Sequence, residues 1–186
     1  MRISTILGTT LTLTAGLLSN IAAASAIRLA DGTVYFAQPP SLVSASTTFN
    51  DVYVWGAKYY FTLSVPENAG EPLQRVTITQ QEGIDDIEFD LEDSRAFEGT
   101  RAEKGKSVAL RSVMRDDNKR MLSIAFDPPV PPGKTVTIAL NPIRNPKYAG
   151  VYLFGVTAFP AGEKTHGQFL GFGRLHFYDN RDFGWP

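Results

Sequence analysis

Between residues 59 and 140 apolar and polar side chains alternate with a period of two. Tyr59, Phe61, Leu63 and Val65 are separated by Tyr60, Thr62 and Ser64, and Val76 and Ile78 by Thr77. Leu122, Ile124 and Phe126 repeat the pattern, as do Val136, Ile138 and Leu140. Successive side chains of a strand point to opposite faces, so each run predicts a strand with one apolar face. Between the runs lie Pro66 to Pro72, Asp127 to Gly133 and Asn141 to Pro146, rich in Pro, Gly, Asn and Asp. These residues favour turns, and their prolines are expected to stop strands because they have no N–H to give to a ladder. Val151 to Phe159 is apolar on both faces, as in a central covered strand. No segment has a helical period. About eight or nine strands are expected, in an all-β, antiparallel β-sandwich of immunoglobulin-like architecture.

The N-terminus follows another pattern. Met1-Arg2 precedes an apolar run from Ile6 to Leu18, and Ala24 and Ala26 occupy the −3 and −1 positions of an A-x-A cleavage site. The run is too short for a spanning helix, which needs roughly 20 residues. Residues 1–26 are thus expected to be a cleavable signal peptide. Ile27 becomes the mature N-terminus, and residues 27–186 form a single exported domain, periplasmic or at the cell surface, with no transmembrane segment after cleavage.

Composition narrows the chemistry. With 18 Lys+Arg against 19 Asp+Glu, the chain lacks the net positive charge of a typical nucleic-acid binder. No Cys is present, which excludes disulfides, thiolate metal sites and a cysteine nucleophile. The chain beyond residue 26 contains no G-x-S-x-G, H-E-x-x-H, S-x-x-K, P-loop or dinucleotide fingerprint. No enzyme activity and no cofactor are therefore expected. Dispersed catalytic carboxylates would be visible only in three dimensions.

Four features hold the candidate residues. In the run Asp86 to Glu92, alternation turns Ile87, Phe89 and Leu91 to the core and places Asp86, Glu88, Asp90 and Glu92 in a row on the other face. Clustered carboxylates suit a hard cation such as calcium, but one strand makes a poor cage of six to eight oxygens. The alternative is an ion-pair ladder with Arg95, Arg101, Lys104, Lys106, Arg111, Arg115, Lys119 and Arg120, some of them on a strand from Ser107 to Met114. His166, in a loop, and His176, on a strand near Asp179, are candidate copper or zinc ligands without a fixed spacing. Finally, the segment from Tyr148 to Tyr178 is dense in aromatics and glycine, which reads as core packing or as an aromatic platform for a sugar ring or partner strand. Trp55, Tyr178 and Trp185 are the candidate partner-binding residues.

Several blocks carry a resemblance. They include Leu29 to Phe36 with Pro39-Pro40, Tyr60 to Leu63 with Pro66 to Leu73, and Phe97-Glu98-Gly99-Thr100. Phe126 to Gly133, Tyr152 to Pro160 and Gly171 to Tyr178 complete the set. Together they resemble the family catalogued as domain of unknown function 2808. The resemblance implies a cyanobacterial exported protein, periplasmic or surface-associated, and transfers no catalytic residue or cofactor. The two leading readings are a non-enzymatic sandwich that binds an envelope protein or glycan, and a periplasmic cation or metal-handling protein.

Overall fold

A computed structural model describes residues 27–179. The expected signal peptide, its cleavage site and Trp185 lie outside the described residues. The described residues form twelve strands: β1 (Ile27–Arg28), β2 (Val34–Tyr35), β3 (Ser41–Thr47), β4 (Tyr59–Ser64), β5 (Leu73–Glu82), β6 (Phe89–Gly99), β7 (Lys104–Val108), β8 (Leu110–Asp116), β9 (Met121–Val130), β10 (Thr135–Pro142), β11 (Gly150–Pro160) and β12 (Gln168–Phe177). Among the described residues the only helical element is one 3-10 turn, Asp117–Lys119.

β1 and β2 form a small ribbon, and the other ten strands make two five-stranded sheets with antiparallel pairing throughout. The orders are β3-β4-β10-β6-β7 and β12-β11-β5-β9-β8. The fold is thus an antiparallel β-sandwich of immunoglobulin-like architecture. The inner faces are the apolar sets of the alternating runs: Tyr59, Phe61 and Leu63 from one sheet face Val76, Ile78, Ile124 and Phe154 from the other, all buried. Aromatic edges interlock there, with Phe61 against Phe154 at 5.7 Å and Tyr152 against Phe177 at 5.4 Å between ring centroids.

Ten sandwich strands exceed the expected eight or nine for two reasons. β3 has almost no apolar alternation, because it is a half-exposed edge strand. The single strand expected from Ser107 to Met114 is instead broken at Ala109, where the chain leaves β7 in one sheet and enters β8 in the other. Prolines also act differently from expectation in β9. Leu73 and Arg75 of β5 are two apart, while their partners Val130 and Ala125 are five apart, so the strand carries Pro128 and Pro129 in a bulge and resumes at buried Val130. Likewise β11 is second in its sheet and not central.

β12 closes the side of the sandwich against β3. Gly173 makes the approach possible: a Cβ there would stand 2.7 Å from Ala45 Cβ and 2.8 Å from Phe61 Cε1.

Candidate functional site

The strand ends at Thr47, Tyr59, Glu82, Pro142, Gly150 and Phe177 meet at one end of the sandwich through their pairings. Three loops gather there, residues 48–58, 83–88 and 143–149. Asn145, fully buried, ties two of them together. Its Nδ2 donates to the carbonyls of Phe49 at 3.0 Å and Asp51 at 2.8 Å, its N–H donates to Val54 O at 2.8 Å, and its Oδ1 accepts from the Tyr59 hydroxyl at 2.9 Å. Burial pushes the Tyr59 phenol well above the ordinary tyrosine range, so it stays a donor. The third loop is joined by the Ile143 N–H on Glu88 O at 2.9 Å and by the Lys147 N–H on the Asp85 carboxylate.

Between these loops lies a groove of about 330 Å³ lined by Trp55, Asp85, Asp86, Glu88, Arg144 and Lys147, among others. Trp55 is 68% exposed, and Tyr53 and Ile143 beside it are also on the surface. Tyr53 adopts a positive φ of 60°, and the Arg144 guanidinium lies 5.6 Å from its ring centroid. Tyr178 reaches the same end. Its N–H donates to Asn50 O at 2.8 Å and its carbonyl accepts from Val52 at 2.9 Å, so the residue after β12 is stitched to the loop that bears Trp55. The structure thus places Trp55 and Tyr178 at one end of the molecule, both with apolar surface exposed.

The exposed acids alternate with inward Ile87, Phe89 and Leu91 as far as Glu92. β6 begins at Phe89, which leaves Asp86 and Glu88 in the preceding loop. Along β10, Ala139 and Asn141 are two apart, whereas their β6 partners Arg95 and Asp90 are five apart. The bulge between them shifts the inward phase from Ile87, Phe89 and Leu91 to Ser94 and Ala96. Asp90 Oδ1 accepts from the Glu92 N–H at 3.1 Å within this bulge. The Arg95 guanidinium caps the bulge by donating to Glu92 O at 2.6 Å and Ser94 O at 2.9 Å.

The expected ladder reduces to one pair. Arg115 Nη2 meets Asp86 Oδ2 at 2.9 Å while its Nη1 donates to Ile87 O at 2.8 Å and its Nε binds Asp117. Arg111 pairs with Asp127, and Lys119 with Asp116. Among the described residues no three His, Asp or Glu side chains converge as metal ligands. His166 stacks on Tyr35 at 4.6 Å and His176 on Tyr178 at 6.5 Å. Nearly all of β12, roughly 30 Å of strand, lies between the two imidazoles.

Sequence reading did not single out Asn145, Tyr53 or Arg144. Asn145 stood within a presumed turn, and only its buried position among three carbonyl and hydroxyl partners reveals its role. The aromatic-rich C-terminal segment divides: Tyr152, Phe154 and Phe177 are core, while Tyr148, Phe169, Phe172 and Tyr178 are exposed. Phe169 and Phe172 touch edge to face at 5.1 Å on the surface of β12.

Among the described residues no helix is long and apolar enough to cross a membrane. No curated protein matches this chain. Among solved structures the chain is similar to the C-terminal domain of the Streptococcus pyogenes antigen I/II-family protein AspA, with 13% identity and a TM-score of 0.40 over 72% of this chain and 46% of that one. It is also similar to the collagen-binding domain from a Staphylococcus aureus adhesin, with 10% identity and a TM-score of 0.39 over 75% and 99% of the two chains. A cohesin module from a Clostridium perfringens family 33 glycoside hydrolase is a third, with 10% identity and a TM-score of 0.36 over 75% and 99%. The chain spans less than half of the first of these proteins and nearly all of the other two. The alternating strands, the proline turns and the Gly-aromatic end of β12 all lie within residues 33–177, the part that matches protein of unknown function (DUF2808), and the chain belongs to that family.

Proposed function

We propose that this chain is an exported, non-enzymatic β-sandwich protein that binds a cell-envelope partner, protein or glycan, through the loop end bearing Trp55 and Tyr178. The observation that carries the reading is a 68% exposed tryptophan on a loop held in place by a buried asparagine. An exposed indole is costly in water and gains most when a partner covers it. Its loop is already ordered by Asn145 and by the backbone of Tyr178, so little conformational entropy is lost on docking. Export rests on the pattern of residues 1–26.

The test is retention of the purified protein on envelope material from the source cell. Trp55→Ala and Tyr178→Ala should each weaken retention about tenfold or more while the melting midpoint stays within a few degrees. Undiminished retention of both variants would remove the loop end from consideration.

A further inference from the structure

The basic segment between residues 95 and 120 separates in the fold into paired and unpaired cations. Arg95, Arg111, Arg115 and Lys119 have carboxylate partners. Arg101, Lys104 and Lys106, on the turn and strand after β6, are exposed, and none has a carboxylate within 4.0 Å among the described residues. Lys58, the residue before β4, is exposed and has no ion pair among the described residues. Glu103 is the one carboxylate within the turn and makes no ion pair with them.

These cations are not scattered. The β6–β7 turn folds back over the outer face of its sheet, where Thr137 Oγ1 donates to Gly99 O at 2.7 Å. The Arg101 guanidinium sits 5.0 Å from the Tyr60 ring centroid and donates to Thr47 O at 3.1 Å. Lys104 Nζ lies 5.9 Å from the Tyr60 ring and 5.4 Å from that of Phe97. Ring faces and a carbonyl thus fix the positions of two charges without neutralising them. Lys58 precedes Tyr60 by two residues and extends the same outward face.

We propose that this outer face is a second binding surface, for an anionic polysaccharide carrying carboxylate or sulfate groups. The proposal does not rest on the loop-end reading. Charge complementarity selects a polyanion. Arg101 and Lys104 lie over the outer face of one sheet, with Lys106 two residues further along β7, which suits an extended chain with repeated charges more than a single small anion. A nucleic acid fits less well, because binding single strands needs free aromatic faces for base stacking, and here Arg101 and Lys104 already lie over Tyr60 and Phe97.

The experiment measures binding of the purified protein to fluorescein-labelled polygalacturonate and dextran sulfate, with neutral dextran and a single-stranded oligonucleotide as controls. Binding to the two acidic polysaccharides should fall steeply between about 0.01 M and about 1 M salt, over which the screening length shrinks from about 30 Å to about 3 Å. Arg101→Gln/Lys104→Gln/Lys106→Gln should weaken it about tenfold or more. Lys104→Gln/Lys106→Gln, whose native side chains donate no structural hydrogen bond among the described residues, covers the case in which loss of Arg101, which donates to Thr47 O, disturbs the fold. Trp55→Ala should leave this binding unchanged, which separates the surface from the loop end. Equal binding of neutral dextran, tighter binding of the oligonucleotide than of either polysaccharide, or full binding by both cation variants would overturn the proposal.

Discussion

The Tyr59 hydroxyl donates to Asn145 Oδ1 at 2.9 Å across 86 residues of chain, and both side chains are buried. Tyr59 opens β4 with its ring in the core, edge-on to Phe89 at 5.8 Å. Asn145 spends its amide on the loop that presents Trp55. The pair therefore connects the core of the sandwich to its proposed binding end.

Breaking the pair should cost stability. Tyr59→Phe leaves Asn145 Oδ1 unsatisfied in the interior, a loss of about 1–3 kcal/mol. Asn145→Ala also removes two bonds to the loop and should cost more, roughly 2–4 kcal/mol. Denaturant midpoints of the two variants give the order. Asn145→Ala should also weaken envelope retention, with Trp55 intact but no longer held.

Alkaline pH should act through the same tyrosine. Its folded pKa is raised by burial, so both states hold the proton below the ordinary value near 10. Above that value the unfolded chain ionises while the folded chain does not, and stability falls with rising pH. Unfolding free energy measured from about pH 8 to about pH 11 should drop in the native protein and drop less in Tyr59→Phe.

Gly173→Ala should loosen the closure of β12 on β3. The added methyl would press on Ala45 and Phe61, both attached to the facing sheet. Overpacking of this kind costs about 1–3 kcal/mol, and a domain of this size loses roughly 2–4 °C per kcal/mol. A midpoint equal to that of the native protein would mean that the sheets separate there without cost.

Calcium, copper and zinc should leave the melting midpoint of chelator-stripped protein unchanged within about 1 °C. The exposed carboxylates lie along one extended segment, no three of them converge among the described residues, and Asp86 is engaged by Arg115. A metal at 100 times its dissociation constant would add about 2.7 kcal/mol and raise the midpoint by several degrees. Such a rise with one metal alone would revive cation handling.

The period-two runs were enough to place β4, β9, β10 and the centre of β5, because burial of one face forces that alternation whatever the partners are. Edge strand β3 escaped notice because one half-exposed edge needs little apolar surface. Distances along the chain also implied an acidic row opposite a basic ladder. Pairing with β10 puts a bulge between Asp90 and Arg95, and the crossover at Ala109 sent the two ends of the basic segment to different sheets, so the ladder reduces to the Asp86–Arg115 pair. Bulges and crossovers are settled by registers between strands far apart in the chain, so no local pattern announces them.

Local chemistry by itself determined that this is an all-β protein without cysteine chemistry, with Trp55 and Tyr178 as candidate contacts and an export pattern at its start. Tertiary structure alone decided that Trp55 and Tyr178 share one end, that Asn145 holds the loop beneath the indole, and that Arg101, Lys104 and Lys106 have no carboxylate partner among the described residues. The physical reason is that alternation depends on each residue's own partition between water and core, whereas the location and pairing of a polar group depend on which distant backbone and side-chain partners the sheet registers bring within hydrogen-bond reach.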